Sequence, residues 1–238
     1  MKKLGSLVPV VALAIGVSCN QQDVKPKTEE DKTFYAMGSL MGTRLKSIEL
    51  NDNEINMIVQ GLKDSAKGVS TDIDLAKYRG EVQNVFRNRM QKNTDKFKQD
   101  GETYVAKYVA TGGTKSDKGF AYKILKEGTG AKPKATDTVK VHYHGTLIDG
   151  KVFDSSVERG KEVSFPLNRV IKCWTEGMQL VGVGGKIQLV CPSELAYGDH
   201  GAPPKIPGGS TLVFDVELFS IEDAKATAKA DPNPKSKK

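Results

Sequence analysis

The chain has 238 residues, 27% of them charged and 7% aromatic, with 36 Lys and Arg against 29 Asp and Glu. That length allows one large or two ordinary domains, and the composition excludes a membrane-embedded chain and a disordered one. Setting Lys2 and Lys3 aside with residues 1–18 lowers the formal charge from +7 to +5, 34 basic against 29 acidic side chains. Many of the lysines lie near the two ends, so this is solvation with weak attraction to anionic membrane surfaces, and no nucleic-acid partner is expected.

Residues 1–18 read as a signal peptide. Lys2 and Lys3 supply a positive start, and residues 4–18 form an uncharged, mostly apolar run of 15 residues, short for a membrane span. The run ends in Ile15-Gly16-Val17-Ser18-Cys19, which resembles a bacterial lipoprotein signal cleaved before Cys19 and acylated there. Gly16 stands where such signals usually have Leu; the alternative is an ordinary secretory signal with an incidental cysteine. Both readings export the chain. Asn20 follows the cysteine, so the expected place is the periplasm, anchored to the outer membrane by lipid alone. Residues 19–32 have little to bury and read as a flexible tether.

Residues 33–111 read as helical. A first helix carries Met37, Leu40 and Met41 on one stripe. Asn51 with Glu54 three residues on has capping-box spacing, and Ile55, Ile58, Val59 and Leu62 follow at helical intervals. A third pattern over 74–110 includes Tyr78, Val82, Val85 and Phe86 and has no proline; its length is about 55 Å at 1.5 Å per residue. Gly101 reads as a bend or a weak point. Two short helices cannot cover the stripe on the first half of so long a helix, so a second copy of the chain is expected to do so; a compact three-helix bundle is the alternative. Residues 112–118 read as a hinge.

Residues 119–221 read as strands. Val139, Val141 and Tyr143 alternate with Lys140, His142 and His144, which predicts one apolar and one wet face. Asp149-Gly150 between two apolar pairs predicts a tight hairpin. Ile187, Leu189 and Cys191 share a face, as do Leu212, Phe214, Val216 and Leu218. Residues 174–180 are the one helix expected here. The fold class is therefore α+β: a helical N-terminal dimerisation domain with a long stalk helix, then an antiparallel half-barrel sheet wrapped on one short helix. Residues 222–238 read as a disordered tail.

Several spaced motifs agree across the second half: Val141-His142-Tyr143, Val152-Phe153-Asp154-Ser155-Ser156, Val170-Ile171-Lys172-Cys173-Trp174, Ala196-Tyr197-Gly198, and Thr-Leu-Val-Phe-Asp-Val-Glu-Leu at 211–218. Together they resemble the FKBP-type peptidyl-prolyl cis-trans isomerases over about residues 119–221. Tyr35-Ala36-Met37-Gly38-Ser39-Leu40-Met41-Gly42 resembles the N-terminal dimerisation domain of the Mip-like (macrophage infectivity potentiator) members, which implies a homodimer through residues 33–111. The resemblance implies a proline-ring pocket from Tyr143, Phe153, Val170, Ile171, Trp174 and Phe214, with Trp174, the only tryptophan, as its floor. It implies that the Ile171 N–H and the Tyr197 hydroxyl hold substrate carbonyls, and that Asp154 acts electrostatically, aided by Tyr143 and Arg159. Val163 stands where the family often has an aromatic on the pocket wall, and Ile206 is retained on a rim that carries Ala202 and Lys205. These departures alter affinity for macrolide inhibitors of the FKBP class and for the residue before proline.

The chemistry suits those residues. An X-Pro amide resists rotation by about 18–20 kcal/mol because twisting destroys its resonance, and uncatalysed exchange takes tens to hundreds of seconds. Lowering that barrier requires a site that binds the twisted amide better than the planar one, and neither metal nor cofactor is expected. A dry aromatic hollow meets that requirement, since the twisted amide is less polar. His142, His144 and His200 read as solvated histidines, not metal ligands. Cys173 and Cys191 are either bridged or two buried thiols. The expected substrates are proline-containing, incompletely folded polypeptides; the alternatives are a holdase-type chaperone or a host-interaction lipoprotein with incidental isomerase activity.

Overall fold

The computed structural model describes residues 25–222. The signal peptide, Cys19 and the tail beyond 222 lie outside these residues. Helix α1 (Glu29–Leu45) starts upstream of residue 33, inside the stretch expected to be a tether. The cause is local: the Asp31 N–H donates to Thr28 Oγ1 (3.1 Å) and the Thr28 N–H donates back to Asp31 Oδ2 (2.9 Å). This is a capping box with Asp as the returning acid. Phe34, Met37, Leu40 and Met41 on α1 are exposed.

In the second compact unit, a single 3-10 turn (Lys46–Ile48) precedes α2 (Asp52–Ala66) and α3 (Leu75–Ala110). The capping box between Asn51 and Glu54 forms in both directions, at 3.0 Å each way. Glu54 also pairs with Arg89 of α3, whose guanidinium hydrogen bond holds the Glu54 carboxyl at about 2. Arg89 and Asn93 donate to the carbonyls of Ile48 (3.3 Å) and Ser47 (2.9 Å). These bonds fasten the turn and α2 to the middle of α3. The first half of α3 still leaves Leu75, Tyr78, Val82 and Val85 exposed, as α2 leaves Ile55, Ile58 and Leu62.

The stretch expected to be a hinge contains the first strand of a hairpin. Residues 114–115 form β1 (Thr114–Lys115), paired antiparallel with β2 (Ala121–Lys126) through a turn at Gly119, which takes φ 96°. The sheet continues with β3 (Thr138–Leu147), β4 (Val152–Ser155), β5 (Val163–Pro166), β6 (Lys186–Cys191) and β7 (Leu212–Glu222). Its order is β1-β2-β6-β7-β3-β4 with β5 also on β3, and every pairing is antiparallel. The Asp149-Gly150 turn forms where expected: the Gly150 N–H donates to Leu147 O (3.0 Å), with Gly150 at φ 85°. Helix α4 (Lys172–Gly177) starts two residues before the expected 174, and Met178–Leu180 tightens into a 3-10 turn. Gly177 lies so close to Leu189 that a Cβ there would come within 2.5 Å of it.

One face of the sheet wraps the main core around α4, with Val139, Val141, Ile187, Leu189, Val216 and Leu218 fully buried. The other face departs from the expected wet surface. Ala121, Val190 and Val213 are buried there beneath Tyr104, Val105, Tyr108 and Val109 of α3. Gly101, expected to bend or weaken the helix, lies within an uninterrupted α3 and is buried, and a Cβ on it would stand 2.1 Å from Thr211 Oγ1. Glycine is what lets helix and strand approach.

Candidate active site

Five elements bring the aromatic rings together. Trp174 projects from α4 with the plane of its indole 81–85° from three neighbouring rings: Phe214 of β7 at 5.4 Å, Tyr143 of β3 at 5.5 Å and Phe165 of β5 at 5.7 Å between centroids. Phe153 of β4 meets Phe214 edge-to-face at 5.5 Å. Each such pair contributes about 0.5–1.5 kcal/mol beyond its buried area. Gly145 makes room for them. It faces Asp154 across the β3–β4 ladder and Phe214 across β3–β7, and a Cβ there would come within 2.7 Å of the Phe153 ring and 3.1 Å of the Phe214 ring.

Above the indole lies an open cavity of about 550 Å³. Asp154 sits at its edge. The Tyr143 hydroxyl donates to one carboxylate oxygen and Arg159 to the other. Arg159 also donates to the Tyr143 oxygen at 2.9 Å and stacks over its ring. Burial pushes Asp154 up, but the hydrogen bonds from Tyr143 and Arg159, with the guanidinium charge, outweigh it and keep the carboxyl below its ordinary value. Burial pushes the Tyr143 phenol up, and its bond to Asp154 adds to that. Tyr197 is raised by burial and then by the Asp154 charge. The result is a fixed carboxylate, two protonated phenols and a bed of ring edges.

Tyr143, Phe153, Asp154, Val170, Ile171, Trp174, Tyr197 and Phe214 all line this cavity. Three residues expected at the site do not. Arg159 stands behind it, bonded to Asp154 and Tyr143. Ile206 is buried in the core, where it exchanges backbone bonds with Ala202. Val163 pairs with Val141 on the sheet, and the aromatic wall comes from Phe165, two residues on and on the same strand face. Phe165 and Arg169 also line the cavity and were missed in the sequence, and Ala196 and Lys172, though within the quoted motifs, were not assigned to the site; for Phe165 the alternation of Val163, Phe165 and Leu167 was the available signal. Beneath the floor, Cys173 and Cys191 are joined in a disulfide with Cα atoms 5.7 Å apart. Lys205 donates to Phe153 O at 3.0 Å. His142 and His144 pair with the hydroxyls of Ser156 and Ser155, each at 3.0 Å.

A half-wrapped antiparallel sheet on one short helix, with an indole-floored hollow and a fixed carboxylate beside it, has the shape and chemistry to hold an apolar ring next to a polar backbone. Known proteins agree. The profile of the FKBP-type peptidyl-prolyl cis-trans isomerases matches residues 129–219, and that of the domain amino terminal to them matches residues 30–124. The isomerase FkpA of Aeromonas hydrophila is 44% identical over 209 residues, 82% of this chain and 78% of that one. The outer membrane protein MIP of Legionella longbeachae is 33% identical over 205 residues, 83% and 88% of the two chains. The crystal structure of FkpA from Escherichia coli superposes with a TM-score of 0.65 at 36% identity, covering 84% of this chain and all of that one. The chain belongs to the FKBP-type peptidyl-prolyl cis-trans isomerases with an amino-terminal helical domain, and its activity is rotation about X-Pro bonds.

Proposed function

We propose that catalysis takes place in the hollow above Trp174, with the proline ring against the indole and Phe214. Tyr143 and Phe153 close the sides. The Ile171 N–H and the Tyr197 hydroxyl donate to substrate carbonyls on either side of the rotating bond. Asp154, braced by Arg159, presents its charge to that bond and transfers no proton. Twisting makes the amide less polar and its carbonyl more ketone-like, so a dry bed with fixed donors binds the twisted form more tightly than the planar one. The observation that carries this reading is the hollow itself: six aromatic rings around about 550 Å³, five of them in edge-to-face contact. A proline-containing tetrapeptide assay on the full chain tests it. A macrolide of the FKBP-inhibitor class should abolish the activity; a rate indifferent to that inhibitor and to Phe214→Ala places catalysis elsewhere.

The substrates in this reading are exported polypeptides still folding, reached by a chain anchored to the outer membrane through Cys19, in the manner of the Mip-like members. In this reading residues 1–18 are a signal peptide, the helical domain runs from the start of α1 at Glu29 to residue 111, residues 112–118 are the junction, and the isomerase domain runs from 119 to the end of β7 at Glu222. The helical domain pairs two copies. Exposed apolar residues support this on each unit taken alone: Phe34, Met37 and Leu40 on one; Ile55, Leu62 and Val82 on the other. The same surfaces support a second, coexisting activity, in which the helical domains restrain aggregation of unfolded clients. Sedimentation of the mature chain at micromolar concentration should give twice the monomer mass.

A further inference from the structure

The loop 196–210 has two sides. One carries Ala196 and Tyr197, which line the aromatic hollow. The other rests on α3. Lys98 Nζ lies 2.5 Å from Asp199 Oδ1. Gly208 and Gly209 press on Thr94 so closely that a Cβ at Gly209 would stand 2.4 Å from the Thr94 carbonyl oxygen, and one at Gly208 would stand 3.1 Å from Thr94 Oγ1. Thr94 and Gly101 are the buried residues of α3, so the helix is most deeply covered where it meets this loop and the strand after it.

The loop is braced internally, so a displacement at one side reaches the other. The Gly209 N–H donates to Gly198 O at 2.9 Å, the Gly201 N–H to Tyr197 O at 3.1 Å, and Ala202 and Ile206 exchange bonds of 2.8 and 3.0 Å. Gly198 and Gly201, on either side of the Asp199 anchor, take positive φ of 59° and 63°, which L side chains rarely adopt. The backbone path from Asp199 to Tyr197 is two residues long.

We propose that Lys98 is a positioning residue for the isomerase site: through its ion pair with Asp199, α3 sets where the Tyr197 hydroxyl stands at the pocket rim. This rests on the reading of Tyr197 as a donor to substrate. A half-exposed ion pair contributes little to stability, but displacing a catalytic donor by about 1 Å can cost up to 10²-fold in rate. Glu194 and Asp95 also face the Lys98 ammonium, so a carboxylate in its place would stand among three others and push the loop off the helix.

The test uses the full chain, reading kcat/KM on a proline-containing tetrapeptide alongside the thermal midpoint. Lys98→Glu should lower kcat/KM about fivefold and Lys98→Met about twofold, both with nearly unchanged midpoints. Exchanging the charges in one chain, Lys98→Glu with Asp199→Lys, should restore the rate to within about twofold. On a Tyr197→Phe background, Lys98→Glu should cost less than about twofold, because the group it positions is already gone. A wild-type rate in Lys98→Glu, the same fivefold loss on the Tyr197→Phe background, or no recovery on charge exchange overturns the proposal. A wild-type rate in Tyr197→Phe alone removes the donor role itself, and the positioning role with it; a slowed Tyr197→Phe beside a normal Lys98→Glu removes only the latter.

Discussion

Two cavities of nearly equal volume, about 550 and 530 Å³, differ in what surrounds them. One is floored by Trp174 and walled by Tyr143, Phe165 and Phe214. The other runs along α3 and is lined by Lys98, Glu102, Lys115 and Glu194 among smaller apolar groups. The first combines ring edges, a carboxylate held below its ordinary value and two raised phenols. The second has charges that mostly face water, apart from Lys98, which is paired with Asp199. Volume alone therefore says little about chemistry; convergence of a dry surface with a few fixed polar groups says more. Among the described residues three buried side-chain atoms have no hydrogen-bond partner: Trp174 Nε1 on the pocket side, Tyr108 Oη of α3, and Ser210 Oγ just before β7. Burial pushes the Tyr108 phenol up to about 12.

Substitutions can separate the two cavities. Phe214→Ala removes a ring that touches both Phe153 and Trp174, and it should lower the unfolding free energy by about 3–5 kcal/mol in urea titrations and reduce kcat/KM at least about tenfold. The matched change on the other side, Val109→Ala, should cost about 1–2 kcal/mol and leave kcat/KM within about twofold. Equal losses of rate from the two would erase the distinction. Replacing Cys173 and Cys191 together by Ala removes a cross-link spanning 18 residues; the expected loss is about 3 kcal/mol, and thiol titration of the unfolded wild-type chain should find neither cysteine free.

Asp154→Leu should cut kcat/KM about tenfold, an effect of about 1.4 kcal/mol. Because the folded carboxyl lies below its ordinary value of 3.8, its contribution to stability is present above that value and is lost as pH falls through the lower folded one. Urea midpoints measured from pH 6 downward should therefore drop less steeply for Asp154→Asn than for wild type. The smallest contrast lies within α3. Gly101→Ala, against Thr211, should destabilise by about 1 kcal/mol, whereas Gly80→Ala, with nothing within 4 Å, should stabilise by up to about 1 kcal/mol through helix propensity. A loss at Gly80 would place that position against the helix of a second copy.

Much of this arrangement was legible in the chain. The Asn51 capping box, the Asp149-Gly150 turn and the strand alternation each depend on residues within a few positions of one another. The aromatic motifs marked eight residues that line the hollow. Phe165 was missed because the resemblance drew attention to Val163, although both stand on the same side of one strand. Gly145 was missed because nothing in a sequence shows which two rings will need the space above a glycine.

By itself, then, the sequence determined the local elements and the apolar face of each strand, since propensity, capping and period-two alternation are written within short stretches; the rings of the hollow, Phe165 apart, were marked by the family resemblance. Only the tertiary structure decided that the second half of α3 covers the face expected to be wet, burying Val190 and Val213. It alone set Gly101 on Thr211 and Lys98 on Asp199. Alternation says that a face is apolar or polar, but not which distant segment will lie on it; that depends on close packing between surfaces the chain brings together only once it has folded.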